Sequence, residues 1–343
     1  MKRVSMESLV KFGTDLLVKK GVPRARARYV ATMAVETEAF RQSTHGIVLL
    51  DGLAKQLGKD VDPRRNPRVV AETAAGLLLD GQGCLASWAM KVARDKAVAK
   101  ARRLGVATAA VRNTGWIAAL GMHLVPAARE GFVVTAWAQS CRCLDCAPYG
   151  GIDPCFSTNP IAMAIPTGGD PVVADFSTAT MSMGAAWNLV HAKKKTAEPR
   201  FLDRRGRPTR DPSVIGKGGS LMFLGCEIDG HKGYALSLLN EAMTVLAGGS
   251  ANNPKVPQRQ SFGVTVFNPA RFGGTSYFLK EMKRFVKRVK GGRARPGFGG
   301  VRLPGERGFK ALMECRTRGI PLGEEKLRML KDLAHRHGVR FAP

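Results

Sequence analysis

Apolar residues in the first 55 positions recur at intervals of three and four. Leu9, Phe12, Leu16 and Leu17 make one such stripe, Ser5 stands where a helix N-cap belongs, and Gly21 followed by Pro23 predicts a stop and a restart. A second helix is expected over 23–40, and the run Ile47-Val48-Leu49-Leu50 follows it. The polar, proline-bearing stretch 59–68 reads as a linker. Beyond it, strand-like runs (73–79, 105–111, 132–138) alternate with helical ones (84–104, 116–129). Two short strands, 159–166 and 171–175, are expected around the turn Thr167-Gly168-Gly169-Asp170. A long basic loop is predicted to about 225. Then come an apolar helix over 232–247, a strand over 262–267, a helix over 275–289 and closing helices at 308–318 and 324–337. The organisation predicted is an N-terminal helical segment (1–58), an α/β region (69–290) and C-terminal helices (300–343) that pack on the first segment.

Composition narrows the class. A chain of 343 residues with 44% hydrophobic content can bury a large core, which excludes a disordered protein. No apolar run approaches the length of a membrane span. The start, Met1-Lys2-Arg3-Val4-Ser5-Met6, lacks the apolar stretch of an export signal, so a cytoplasmic protein is expected. Seven cysteines, an odd number, fit free thiols in a reducing compartment. Cys141, Cys143, Cys146 and Cys155 cluster, but only Cys143 and Cys146 have the spacing of a zinc-binding pair, so no metal is expected.

The formal net charge of +27 predicts attraction to polyanions and phosphate-bearing ligands. Its densest run, 280–295, carries Met282, Phe285, Val286 and Val289 at helical spacing. That pattern reads as a surface helix with a solvated basic face; the competing reading is a catalytically weakened protein that binds nucleic acid.

Two strings invite chemistry. Ser43-Thr44-His45-Gly46 places one of only six histidines between small residues. Histidine exchanges protons near neutral pH, and glycine permits close approach. Taken alone, the string also suits a histidine at a helix end with a glycine cap. The second string, Gly81-Gln82-Gly83-Cys84-Leu85-Ala86, fits the glycine pattern of a dinucleotide-binding turn. Such a turn needs an acidic residue at the end of the next strand, and Ala110-Val111-Arg112-Asn113 offers none. It is read here as a plain helix-start turn.

Several strings in order resemble the non-Rossmann malate/L-lactate dehydrogenase family. They are Thr44-His45-Gly46, Asp80-Gly81, Val111-Arg112-Asn113, Pro148-Tyr149-Gly150-Gly151 with Thr158-Asn159-Pro160, Pro171 to Ser177, Lys232-Gly233-Tyr234 with Glu241, and Leu303-Pro304-Gly305-Glu306. The resemblance spans nearly the whole chain. It implies an α/β (α+β) fold with a mixed or antiparallel sheet, a homodimer, and NAD(P)H-dependent hydride transfer to a 2-oxo acid or cyclic imine acid. It implies His45 as the proton-exchanging group, with Thr44 and Ser43 beside it. Cofactor contacts are implied at Val172, Val173, Ala174, Asp175, Phe176 and Ser177, at His231 and Lys232 near a helix start, and at Gly305, Glu306 and Arg307. Asp175 is alternatively placed to orient His45. Asn113, Ser140, Thr158 and Asn159 are further candidates for substrate or cofactor contact. Eight basic residues between Lys193 and Arg210 incline the cofactor choice from NAD towards NADP. The chain also departs from the family. Members commonly carry an arginine four residues after the histidine, suited to gripping a substrate carboxylate, and a second three residues further on. Here those positions are Leu49 and Gly52, and a family Asn-His is replaced by Gly115-Trp116.

Overall fold

The computed structural model describes residues 2–257 and 259–342. It begins with β1 (Lys2–Val4), α1 (Met6–Lys19), α2 (Arg24–Ala39) and α3 (Val48–Gln56). There follow β2 (Arg68–Glu72), β3 (Gly76–Cys84), α4 (Ala86–Leu104), β4 (Val106–Thr114), α5 (Gly121–Arg129), β5 (Val133–Ser140), β6 (Pro160–Ile165) and β7 (Val172–Ser177). Then come α6 (Met183–His191), β8 (Phe201–Leu202), β9 (Pro208–Thr209), β10 (Ser220–Leu221), α7 (Cys226–Leu246), β11 (Gln260–Phe267), α8 (Thr275–Lys290), α9 (Glu306–Arg318), β12 (Ile320–Leu322) and α10 (Glu324–His337).

Seven strands form one sheet in the order β2-β3-β4-β11-β5-β6-β7. The β3–β4 pair is parallel and the other neighbours run antiparallel. The sheet is therefore mixed, as expected, and not doubly wound. Helix α4 lies against it through Ala86, Ala89, Met90, Ala93, Ala97 and Ala101, all buried. That spacing is one face of a 3.6-residue repeat, and its small side chains let the helix approach Ala107 and Ala109 of β4 closely. Ser5 caps α1, its hydroxyl accepting from Ser8 N at 3.0 Å. β1 pairs with β12, so the two chain ends share a ribbon. A smaller core of Phe156, Phe201, Leu221 and Phe223 supports the three-stranded sheet β10-β8-β9.

Four expectations need correction. The glycine string 81–86 is not a turn: Gly81 and Gly83 lie inside β3. A side chain at Gly81 would come within 2.5 Å of Thr114 Cγ2, so the glycine serves close strand contact and not a phosphate. The basic loop before residue 225 is structured, holding α6 and the small sheet. Helix α5 begins at Gly121 and not near Trp116, because residues 116–120 run irregularly, with Ala118 at φ 65°. Finally, α7 begins six residues before Lys232. His231 and Lys232 thus sit within the helix, where Lys232 pairs with Asp229 at 2.6 Å and its N–H is already used.

Candidate active site

His45 is not at a helix end. It lies in the turn between α2 and α3, with its backbone N donating to Gln42 O at 2.9 Å. The turn is pinned from two sides. Glu38 of α2 accepts from Ile47 N at 3.2 Å and pairs with Lys326 of α10 at 2.5 Å, and Lys326 also donates to Ser43 O at 2.9 Å. Gly46 is required by this packing: a Cβ there would meet Glu38 Cα at 2.8 Å. The close approach that the glycine permits is thus that of the Glu38 backbone.

The imidazole is held by neighbours. Thr44 Oγ1 lies 2.8 Å from His45 Nδ1. The Trp116 ring stands 5.8 Å from the His45 ring, at 44°. Burial pushes the His45 pKa below its usual value, and the nearby Asp175 carboxylate opposes part of that shift.

Two clefts meet at His45. The first, about 480 Å³, is lined by Arg41, Gln42, Ser43, Thr44, Ala118, Ala119, Asp175, Phe176, Ser177 and the 179–182 segment. Asp175 is half-buried there, and desolvation raises its pKa; Oδ2 accepts from Leu120 N at 3.0 Å, Gly121 N at 2.8 Å and Gln42 Nε2 at 3.2 Å. A carboxylate thus caps α5 and ties the end of β7 to the histidine turn. Ser177 Oγ donates to Thr158 O at 3.0 Å.

The second cleft, about 600 Å³, is lined by Trp116, Ser140, Arg142, Cys143, Asp145, Thr158, Arg259 and Gln260, among others. Burial raises the Asp145 carboxyl to about 6. His45, Thr158 and Ser182 border both clefts.

The expected contacts divide accordingly. Ser43, Thr44, Asp175, Phe176 and Ser177 reach the first cleft, Ser140 the second and Thr158 both. Val172 and Glu306 line a separate groove of about 340 Å³, where Glu306 pairs with Lys290 at 2.7 Å. Gly305 lies against Val173, whose N–H donates to Pro304 O at 3.1 Å. Arg307 is exposed, and His231 meets Tyr149 edge-on, with ring centroids 5.7 Å apart. Asn159 is buried away from the clefts, donating to Glu241 at 2.9 Å. Glu241, itself buried, also accepts from Gln139 Nε2 at 3.1 Å and Asn252 N at 2.8 Å. Asn113 stands behind the second cleft and accepts from Arg259 Nε at 3.2 Å. None of the eight basic residues between Lys193 and Arg210 lines either cleft, which removes their support for NADP.

Sequence reasoning missed Gln42, Arg41, Arg142, Arg259 and Gln260. The signal available for Arg142 was its place among the clustered cysteines, a string weighed only for zinc. Among the described residues no group of three or more His, Cys, Asp or Glu could hold a metal ion.

The sequence matches the family model described as malate/L-lactate dehydrogenase over residues 4–331, and the chain belongs to that family. A Delta(1)-pyrroline-2-carboxylate/Delta(1)-piperideine-2-carboxylate reductase of Pseudomonas putida is 31% identical, covering 96% of each chain. A malate dehydrogenase of Pyrococcus abyssi is 30% identical over 98% of this chain and 96% of its own. Among solved structures, malate dehydrogenase from Pyrococcus horikoshii superposes with a TM-score of 0.90 at 26% identity, over 99% of this chain and 97% of that one. The chain is accordingly an NAD(P)-dependent oxidoreductase of hydroxy or imino acids.

Proposed function

We propose that the chain reduces C2 of a 2-oxo or cyclic imine acid with His45 as the proton donor. The observation that carries this reading is the position of His45 on the border of two clefts, with Nδ1 engaged by Thr44. The first cleft fits a nicotinamide cofactor. Gln42 Oε1 is buried there without a partner among the described residues, as an acceptor for an amide would be. Arg41 lines the cleft, makes no ion pair among the described residues, and suits a diphosphate. Asp175, Phe176 and Ser177 end the edge strand β7, which leaves one side of that strand's backbone open to a ligand.

When bound, a reduced nicotinamide supplies the hydride. As C2 becomes tetrahedral, its π electron pair moves to the oxygen or nitrogen, and His45 Nε2 gives that atom a proton. The imidazolium needed for this donates Nδ1–H to Thr44 Oγ1, which fixes the ring. In the reverse direction neutral His45 takes the proton back.

The test is turnover of NADH and NADPH with 2-oxo acids and cyclic imine acids, in the wild type and in His45→Asn. The variant is expected to lose about 10²- to 10⁴-fold in kcat while binding cofactor within a few-fold of wild type. Failure of both nicotinamides to bind saturably at low salt would overturn the reading.

A cytoplasmic homodimer is part of the same proposal. Ile228, Leu239 and Leu246 on α7 are exposed, Ile228 at 86%, and helix α8 buries none of its residues. Such apolar surface suits a second copy of the chain. Light scattering should give twice 36.9 kDa, and Leu246→Glu should shift the protein towards half that mass. A monomeric wild type would contradict this.

A further inference from the structure

The second cleft is lined by two arginines, neither at the position where the resemblance leads one to expect such a cation. Position 49, where the resemblance implies a carboxylate-gripping arginine, is a leucine buried in the main core. Position 52 is a glycine with nothing within 4 Å of its would-be Cβ. No guanidinium therefore enters from α3. Two enter from loops instead. The segment after β5 is clipped to the segment before β11: Cys141 N donates to Arg259 O at 3.2 Å, and Cys141 Sγ donates to Pro257 O at 3.4 Å. Asn252 Nδ2 donates to Cys143 O from the same side. The clip puts Arg142 and Arg259 on one cleft with His45. Arg259 is braced by Asn113.

Arg142 differs from Arg259. It is exposed, makes no hydrogen bond or ion pair among the described residues, and holds φ at 71°. That left-handed conformation disfavours a residue with a Cβ, and it persists where surrounding structure enforces it, often at functional sites. Here the Cys141 and Cys143 contacts on either side enforce it.

We propose that Arg142, with Arg259 as a second cation, receives the substrate carboxylate in place of the missing arginine at position 49. A guanidinium grips a carboxylate through two parallel N–H bonds, which fixes the C1–C2 axis of the substrate relative to His45. The same cleft carries Asp60 and Asp145, so a second carboxylate on the substrate meets negative charge. Trp116 supplies an apolar wall. The substrate class is a 2-oxo or cyclic imine monocarboxylate with an apolar body. This assignment rests on the proposed function for the identity of the cleft, but its test does not need turnover.

Calorimetry of the full-length protein with saturating cofactor should compare pyrrole-2-carboxylate with pyrrole-2-carboxamide, a pair of like shape that differ in charge. Wild type is expected to prefer the acid by about 10- to 100-fold. Arg142→Met should abolish the preference, Arg142→Lys should restore part of it, and Leu49→Met should leave it unchanged. An Arg142→Met protein that still prefers the acid by the wild-type factor overturns the proposal, as does a wild type with no preference. Loss of turnover in His45→Asn with the acid preference intact separates the two readings. In steady state, a kcat/KM for oxaloacetate above that for 2-oxo monocarboxylates overturns the assignment of class.

Discussion

The two clefts at His45 are built from different materials. The one beside β7 is made by regular elements: the end of an edge strand, a helix N-terminus capped by Asp175, and a turn locked by Glu38 and Lys326. The other draws more on loops: Arg142, Cys143 and Asp145 after β5, Pro257 and Arg259 before β11, and the entry to α6. A scaffold of the first kind is fixed by the packing of the sheet and helices. Loops of the second kind can change their residues without disturbing the sheet. The absence of an arginine from α3 and the place of Arg142 and Arg259 beside the loop cleft fit that division.

The division can be tested from each side. Removing the Asp175 carboxylate strands two helix N–H groups and the Gln42 amide. Asp175→Ala is expected to cost about 2–4 kcal/mol in chemical denaturation and to weaken cofactor binding, with a smaller effect on carboxylate binding. Equal losses on both sides would mean that the clefts are not separately supported. On the loop side, Glu241 joins β5, the start of β6 and Asn252, and Asn252 holds the Cys143 carbonyl. Glu241→Gln turns one acceptor into a donor. It should cost about 1–2 kcal/mol and raise the substrate KM several-fold while leaving cofactor affinity unchanged. Weaker cofactor binding with an unaltered substrate KM would contradict the assignment of Glu241 to the loop cleft.

How much of this was legible in the sequence follows the same line. The His45 turn could be read because its chemistry lies in four adjacent residues. The strand to Asp175 could be read because an apolar run ending in an acid is local. The mixed sheet came from the family resemblance and not from periodicity, which cannot tell strand neighbours apart. The glycine string 81–86 misled because a close strand contact and a phosphate turn ask for the same residue. The start of α7 was placed late because Cys226 to His231 is polar and lacks an apolar stripe, while Gly225 at φ 104° ends the preceding turn. The cysteine cluster marked the Arg142 segment, but its place on the cleft was not legible, because it depends on a clip to Pro257 and Arg259, more than a hundred residues away. Asn113 and Asn159, named as candidates for substrate or cofactor contact, brace other residues and line neither cleft.

The smallest expected effect gives the most direct test of the central claim, that His45 moves the proton. Burial sets its pKa below the ordinary value of about 6.5. Reduction consumes the imidazolium, so kcat/KM for the oxo or imine substrate should be highest on the acid side and fall as pH rises through that pKa. Oxidation of the product consumes the neutral ring, so its kcat/KM should rise through the same value and level off above it. Measured in both directions, the profiles should be mirror images with one shared midpoint below about 6.5, and the limb should vanish in His45→Asn. Profiles that slope the same way in both directions, or a limb that survives in His45→Asn, would contradict the account.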